Sequence, residues 1–215
     1  MTPPKRLDAK RRPRPPPLKI DPKTSETFFF DSGSKHARLS PAHFLDYSTD
    51  QGSKSKVYIG CLSSATDKLW ISRSSITTVI SIISKPIDTS IKEFYVKRNI
   101  THIEYLKHDS DSTNIVSTFK RLESEHDIGS LLKQGNVLIH CFMGMSRAVA
   151  IAMALLIKYK GKTVDEAYAY IKMKRPIVDP NFTFMSQLYF FRKEIERIEN
   201  KYLQQNESFK RLSLV

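Results

Sequence analysis

A cysteine and an arginine stand six positions apart in residues 136–156, "NVLIHCFMGMSRAVAIAMALL", where Cys141 closes an aliphatic run and Arg147 opens an apolar segment. A helix beginning near Ser146 turns its N-terminal amides and dipole toward the sulfur, a field that favours the nucleophilic thiolate. The same amides bind an anion. Five intervening residues, Phe142, Met143, Gly144, Met145 and Ser146, suffice for a loop that wraps an oxyanion with backbone N–H groups. Arg147 then holds two oxygens through its planar fork, and Gly144 lets the backbone approach closely. Thiolate, amide cradle and guanidinium together describe a site for a phosphate monoester whose phosphorus the sulfur attacks. The competing reading of Cys141 is a small buried hydrophobe.

Such a loop needs a strand before it and a helix after it. "NVLIHC" reads as a buried parallel strand, and the C-terminal end of such a strand is where ligands bind in open α/β sheets. "AVAIAMALLI" is apolar on all sides, which predicts a central buried helix ending near Gly161. Thr163 and Glu166 have capping-box spacing and start a helix that stops by Pro176. A last helix is expected from Asp179, with Pro180 in its first turn and Phe184, Leu188, Phe191, Ile195 and Ile198 as one apolar stripe packed on the core. Upstream, "KVYIG", "TTVISII" and "THIEYL" read as strands between helical segments. One of those segments, "TNIVSTFKRLESEHDIGSLLKQG", places Ile115, Phe119 and Leu122 at helical spacing and stops at Gly135. The alternation argues for an α/β domain.

Bare, C-x5-R arises often by chance. Here it carries His140 before the cysteine and Gly144 and Ser146 inside the loop. With that context, "HCFMGMSR" resembles the signature of the cysteine-dependent dual-specificity protein phosphatases, especially the mitogen-activated-protein-kinase phosphatase branch. "IKMKRPIVDPNFTFMSQL", residues 171–188, resembles the segment that follows it in that branch. The resemblance covers about residues 55–200. It implies a protein-tyrosine-phosphatase-like α/β domain of dual-specificity type, with a mostly parallel central sheet flanked by helices.

The resemblance also implies a carboxylic acid on a mobile loop roughly thirty residues before the cysteine, because expelling an unprotonated aryl or alkyl oxide is costly. In "YLKHDSDSTNI", both Asp109 and Asp111 are candidates. Asp109, five residues before Asn114, fits the family spacing better, while Asp111 with Ser112 also suits a helix N-cap. The implied mechanism has two steps: Cys141 takes the phosphoryl group as Asp109 protonates the leaving oxygen, then water attacks the cysteinyl phosphate with Asp109 as base. It needs no metal and no cofactor. His140, by resemblance, shapes the loop and supports the thiolate without touching substrate. The family usually has Ser or Thr after the arginine, donating to the thiolate as it leaves; here stands Ala148, which predicts slower phosphoenzyme hydrolysis. Ser146 is the nearby hydroxyl able to substitute in part. Cys61 reads as structural, and sequence spacing gives no support to a disulfide with Cys141.

The 215-residue chain carries a formal charge of +13 and only two cysteines. Its longest uncharged apolar run, Ala148 to Ile157, is too short to span a bilayer. No apolar signal segment opens it, so the expectation is a soluble protein of a reducing compartment, cytoplasmic or nuclear. Positive charge favours anionic partners: nucleic acid, acidic lipid, phosphoprotein or an acidic docking groove. Composition divides the chain into a basic, Pro/Ser-rich tail over 1–52, a catalytic domain over 53–202 and a C-terminal tail over 203–215.

Within the first tail, "KRRPRPPPLKI" sets Arg11, Arg12 and Arg14 before Leu18-x-Ile20. That pattern resembles the motif by which mitogen-activated protein kinases capture partners. The same residues also fit a nuclear import signal, a proline-rich ligand through Lys10, Pro13 and Pro16, or a solvated tail. Thr2-Pro3 and Ser40-Pro41 fit proline-directed phosphorylation. "KRLSLV" fits a basic-directed site at Ser213 and a PDZ-type terminus.

Two other functions stay open from sequence. One is a phosphoprotein-binding module with little turnover, which Ala148 keeps in view. The other is an RNA 5′-phosphatase or phosphoinositide phosphatase, encouraged by the net charge. RNA-directed relatives typically show Asn before the loop arginine and Thr-Gly after it, unlike Ser146 and Ala148. Lipid-directed relatives place basic residues in the loop, where this chain has Phe142, Met143 and Met145. Nucleic acid is therefore not the expected partner, and the chain is too short for the larger domain of tyrosine-specific enzymes.

Overall fold

The computed structural model describes residues 41–48 and 54–212. Strand β1 (Ala42–Ser48) pairs with β2 (Lys54–Gly60), and the short helices α1 (Leu62–Thr66) and α2 (Lys68–Arg73) lead to β3 (Ile76–Ile83). Helix α3 (Thr89–Lys97) precedes β4 (Thr101–Leu106), and α4 (Ile115–Glu125) and α5 (Ile128–Gln134) precede β5 (Asn136–His140). The chain continues through α6 (Arg147–Lys160), α7 (Val164–Lys174) and α8 (Phe182–Leu212). The sheet order is β1-β2-β5-β3-β4, with β1 antiparallel at the edge and the other neighbours parallel. The expected α/β domain with a mostly parallel sheet between helices is what the chain forms.

Alternation along the strands divides the core in two. Val137 and Ile139 of β5 join Ile80 and Ile82 of β3 in a core closed by α4, α5, α6, α7 and α8. Leu138, Val79 and Ile83 face the other way, toward Ala65, Ile71, Ile91 and Tyr95 of α1, α2 and α3. Because both faces of β3 are covered, its residues read as a nearly continuous β-branched run rather than an alternating one. Helix α6 is buried from Arg147 to Ile157, as its all-round apolar sequence requires, and Gly161 ends it. Thr163 and Glu166 form the predicted capping box of α7. No helix among the described residues is long and apolar enough to cross a membrane.

Four boundaries differ from expectation. Residues 42–48, assigned above to the tail, form β1; a bulge between His43 and Leu45 lets the consecutive Phe44 and Leu45 both be buried, so period-two reading misses the strand. The segment 115–134 is two helices, because the stripe Ile115, Phe119, Leu122 changes phase to Ile128, Leu131, Leu132. His126 takes extended backbone between them. Helix α8 starts at Phe182 rather than Asp179: Asn181 accepts a hydrogen bond from the Phe184 N–H as its cap, leaving Pro180 buried outside the helix. The same helix runs on to Leu212, through most of the expected C-terminal tail. The docking-like residues Arg11, Arg12, Arg14, Leu18 and Ile20, the Thr2 and Ser40 sites and Ser213 lie outside the described residues.

Candidate active site

The loop between β5 and α6 is held from behind along its whole length. His140 Nδ1 donates to the Cys141 carbonyl at 3.2 Å, and the Leu62 N–H donates to the Phe142 carbonyl at 3.0 Å. Arg175 donates through Nη2 to the Met143 carbonyl at 3.3 Å and through Nε to the Gly144 carbonyl at 3.0 Å. The Asp179 N–H takes the Met145 carbonyl at 2.9 Å, and the Ala150 N–H takes that of Ser146 at 2.8 Å. In a trans peptide the N–H points opposite to the preceding carbonyl, and no peptide bond here is cis. Six consecutive carbonyls drawn outward therefore aim the amides of residues 142–147 the other way. The Gly144 amide donates to Cys141 Sγ at 3.2 Å, which stabilises negative charge on sulfur.

Gly144 has φ +67, and a Cβ there would stand 2.5 Å from the Gly60 carbonyl oxygen and 2.9 Å from Arg175 Nη2. Both the conformation and the space demand glycine. Cys141, Ser146 and Arg147 are all buried, while Phe142 and Met143 are exposed beside them. His140 is fully buried, and burial holds its imidazole down at about 4, so the ring is neutral near neutral pH.

Arg147 Nη1 donates to the Lys107 carbonyl at 2.9 Å, which fixes the guanidinium against the segment after β4. Its Nε is buried, without a hydrogen-bond partner among the described residues, and 3.7 Å from Asp109 Oδ2. Asp109 Oδ1 accepts from Ser146 Oγ at 2.8 Å and from Asn181 Nδ2 at 2.7 Å. Asp109 is thus brought to the loop with Cys141 and Arg147. Asp111 is directed elsewhere, accepting from Thr183 Oγ1 at 2.6 Å. Nor does Asp111 cap α4: Asn114 does, accepting from the Ser117 N–H. Ser146 donates its only proton to Asp109 and accepts from the Asn181 N–H. In this arrangement it does not serve the sulfur, contrary to the expectation that it substitutes for the hydroxyl missing at Ala148.

Cys61 is buried at the start of α1, with Sγ 3.0 Å from Ser63 Oγ and 3.3 Å from Ser64 Oγ. Burial pushes its thiol up, but those hydroxyls and the Arg175 charge outweigh it and leave the thiol below its ordinary value. The parallel register pairs Gly60 with His140, so Cys61 and Cys141 leave neighbouring strand ends side by side with no disulfide between them. That neighbourhood is invisible in sequence spacing.

Three residues escaped the sequence reading. Arg175 and Asn181 lie inside the quoted segment 171–188 but have no recognisable spacing to Cys141. Gln187 accepts from the Ile115 N–H at 2.7 Å and donates to the Thr113 carbonyl at 2.9 Å, clamping the junction of the Asp109 loop and α4. A polar residue on the stripe-bearing helix was its only signal.

Comparison with known proteins gives a consistent picture. A family profile described as "Dual specificity phosphatase, catalytic domain" matches residues 57–194. Dual specificity protein phosphatase 18 of Rattus norvegicus is 32% identical over 135 residues, which cover 63% of this chain and 63% of that protein. The MAP kinase phosphatase with leucine-rich repeats protein 2 of Dictyostelium discoideum is 30% identical over 141 residues, 65% of this chain but 19% of the larger protein. Among solved structures, the human tyrosine phosphatase-like serine/threonine/tyrosine-interacting protein superposes with a TM-score of 0.53 at 26% identity, over 66% of this chain and 92% of that one.

Proposed function

The chain belongs to the dual specificity phosphatase catalytic-domain family, and from that premise we propose that it hydrolyses phosphotyrosine and phosphoserine or phosphothreonine in proteins through a cysteinyl-phosphate intermediate. In the first step Cys141 Sγ forms a bond to phosphorus as the bond to the leaving oxygen breaks, and protonated Asp109 gives that oxygen its proton. The loop amides and Arg147 hold the three non-bridging oxygens. In the second step water attacks phosphorus and gives a proton to Asp109, the S–P bond breaks, and the thiolate and inorganic phosphate are released. The observation that carries the reading is the row of six loop carbonyls bonded outward around Cys141, with Arg147 Nε and Asp109 at the open side. The exposed loop residues Phe142 and Met143 suit a protein surface better than a polyphosphorylated headgroup.

Hydrolysis of a small aryl phosphate by wild type, Cys141→Ser and Asp109→Ala tests it. Loss of turnover in the serine variant and a fall of about a hundredfold or more in the alanine variant are expected; equal rates in all three would end the enzymatic reading. A second reading, a phosphoprotein-binding module of low turnover, is favoured by Ala148 and by the similarity to a tyrosine phosphatase-like interacting protein. Retention of a phosphopeptide without release of phosphate would decide for it.

The substrate class proposed includes mitogen-activated protein kinases, with Arg11, Arg12 and Arg14 meeting an acidic patch and Leu18 and Ile20 entering apolar pockets. Support comes from the tail pattern and from the similarity to the Dictyostelium discoideum protein named as a MAP kinase phosphatase. A cytoplasmic or nuclear location goes with it. Pull-down of such a kinase by the full chain is expected to fail once Leu18 and Ile20 are both changed to Ala, and undiminished capture would remove the docking assignment.

A further inference from the structure

We propose that His102 is a positioning residue for the loop, its N–H reinforcing the proton placement on Ser81 that favours the Nδ1-protonated tautomer of His140, whose N–H anchors the Cys141 carbonyl. The inference rests on the loop being the phosphate cradle described above. Side chains alternate along β3, β4 and β5 so that Ser81, His102 and His140 all project to the face covered by α1, α2 and α3. Ser81 Oγ lies 2.7 Å from His140 Nε2 and 2.9 Å from His102 Nε2.

Counting protons fixes every direction in this chain. The Cys141 carbonyl only accepts, so His140 Nδ1 carries the proton. A fully buried, neutral imidazole has one N–H, which leaves Nε2 bare and accepting. Ser81 must give its single proton to that nitrogen. Ser81 Oγ is then left only to accept, and His102 supplies the donor through an Nε2–H. Protonation of His102 would keep that N–H, so the polarity of the chain is the same in either charge state. His102 is itself held in place, half-buried with its ring 5.1 Å from that of Tyr95.

Without His102 the Ser81 hydroxyl is free to accept instead of donate. His140 can then carry its proton on Nε2, and a bare Nδ1 faces the Cys141 carbonyl lone pairs. The first peptide of the cradle loses its anchor. His102→Phe keeps a ring against Tyr95 and removes the donor, whereas His102→Gln restores an N–H at the Nε2 position.

The test reads the His140 tautomer by nitrogen–proton correlation NMR on the full chain, alongside kcat/KM for an aryl phosphate. Wild type and His102→Gln are expected to show Nδ1-protonated His140 and similar kcat/KM. His102→Phe is expected to show mixed tautomers and a loss of about tenfold. Nε2-protonated His140 in wild type, an unmixed Nδ1 tautomer in His102→Phe, or equal impairment of the Gln and Phe variants would each overturn the proposal. Should His102→Phe fail to fold, His102→Leu, which also lacks the donor and leaves Ser81 in place, carries the same prediction for the tautomer. The tautomer readout needs no turnover, so an inactive wild type would count against the phosphatase reading and leave this one to be judged by NMR.

Discussion

At Ala148 the chain departs from the family pattern at a position that is fully buried in the first turn of α6, directly after Arg147. A hydroxyl there, by resemblance to the family, would donate to the sulfur as the S–P bond breaks, and Ser146 is already committed to Asp109. One hydrogen bond to a developing thiolate is worth about 1.5–3 kcal/mol, so Ala148→Ser should speed phosphoenzyme breakdown by about tenfold or more. Acid quenching during turnover followed by intact mass measurement reads this directly: the phosphorylated fraction should fall. An unchanged fraction and unchanged turnover would show that loss of this hydroxyl does not limit the second step. Cys141, Gly144 and Arg147 were legible because one short loop contains them all. Asp109 was legible only as one of two carboxylates, and the contacts to Ser146, Asn181 and Arg147 separate it from Asp111.

Elements far apart in sequence share the work of shaping the loop. Helix α1 contributes the Leu62 amide, the turn after α7 contributes Arg175 and the Asp179 amide, and α8 contributes Gln187 on the Asp109 side. Gln187→Ala leaves the partly buried Ile115 N–H without its short partner, a cost of about 1–3 kcal/mol. Urea unfolding should show a loss of that size. A kcat reduction should accompany it because the segment carrying Asp109 loses one of its ties to α8, the Thr183–Asp111 bond remaining; a stability loss with unaltered kcat would confine Gln187 to a structural role. The strands and helices around the loop were readable from periodicity where the pattern was long, as in α6. The edge strand β1 and the break after Glu125 were not, because a bulge and a phase change interrupt the period on which the reading depends.

For the domain as a whole, the buried His140 couples stability to pH. Its folded value of about 4 lies below the ordinary 6.5, so the unfolded chain binds more protons between those values. Stability from this group is complete above about pH 6.5 and is lost as pH falls toward the folded value, amounting to about 2 kcal/mol between about pH 7 and about pH 5. His102, also lowered by burial, acts in the same direction. Urea midpoints measured across that range should fall in wild type and fall less in His140→Asn; parallel curves would assign the acid sensitivity to other groups. By itself the sequence determined that Cys141 and Arg147 share one strand-loop-helix and that the domain is of the α/β class, because local spacing and hydrophobic period encode these. Only the tertiary structure decided which aspartate meets the loop, that Arg175 and Asn181 support it, that Cys61 lies beside Cys141 and that Ser81 and His102 stand behind His140. Those relations come from strand order, parallel register and helix docking, which bring together residues dozens of positions apart and leave no periodic trace in the chain.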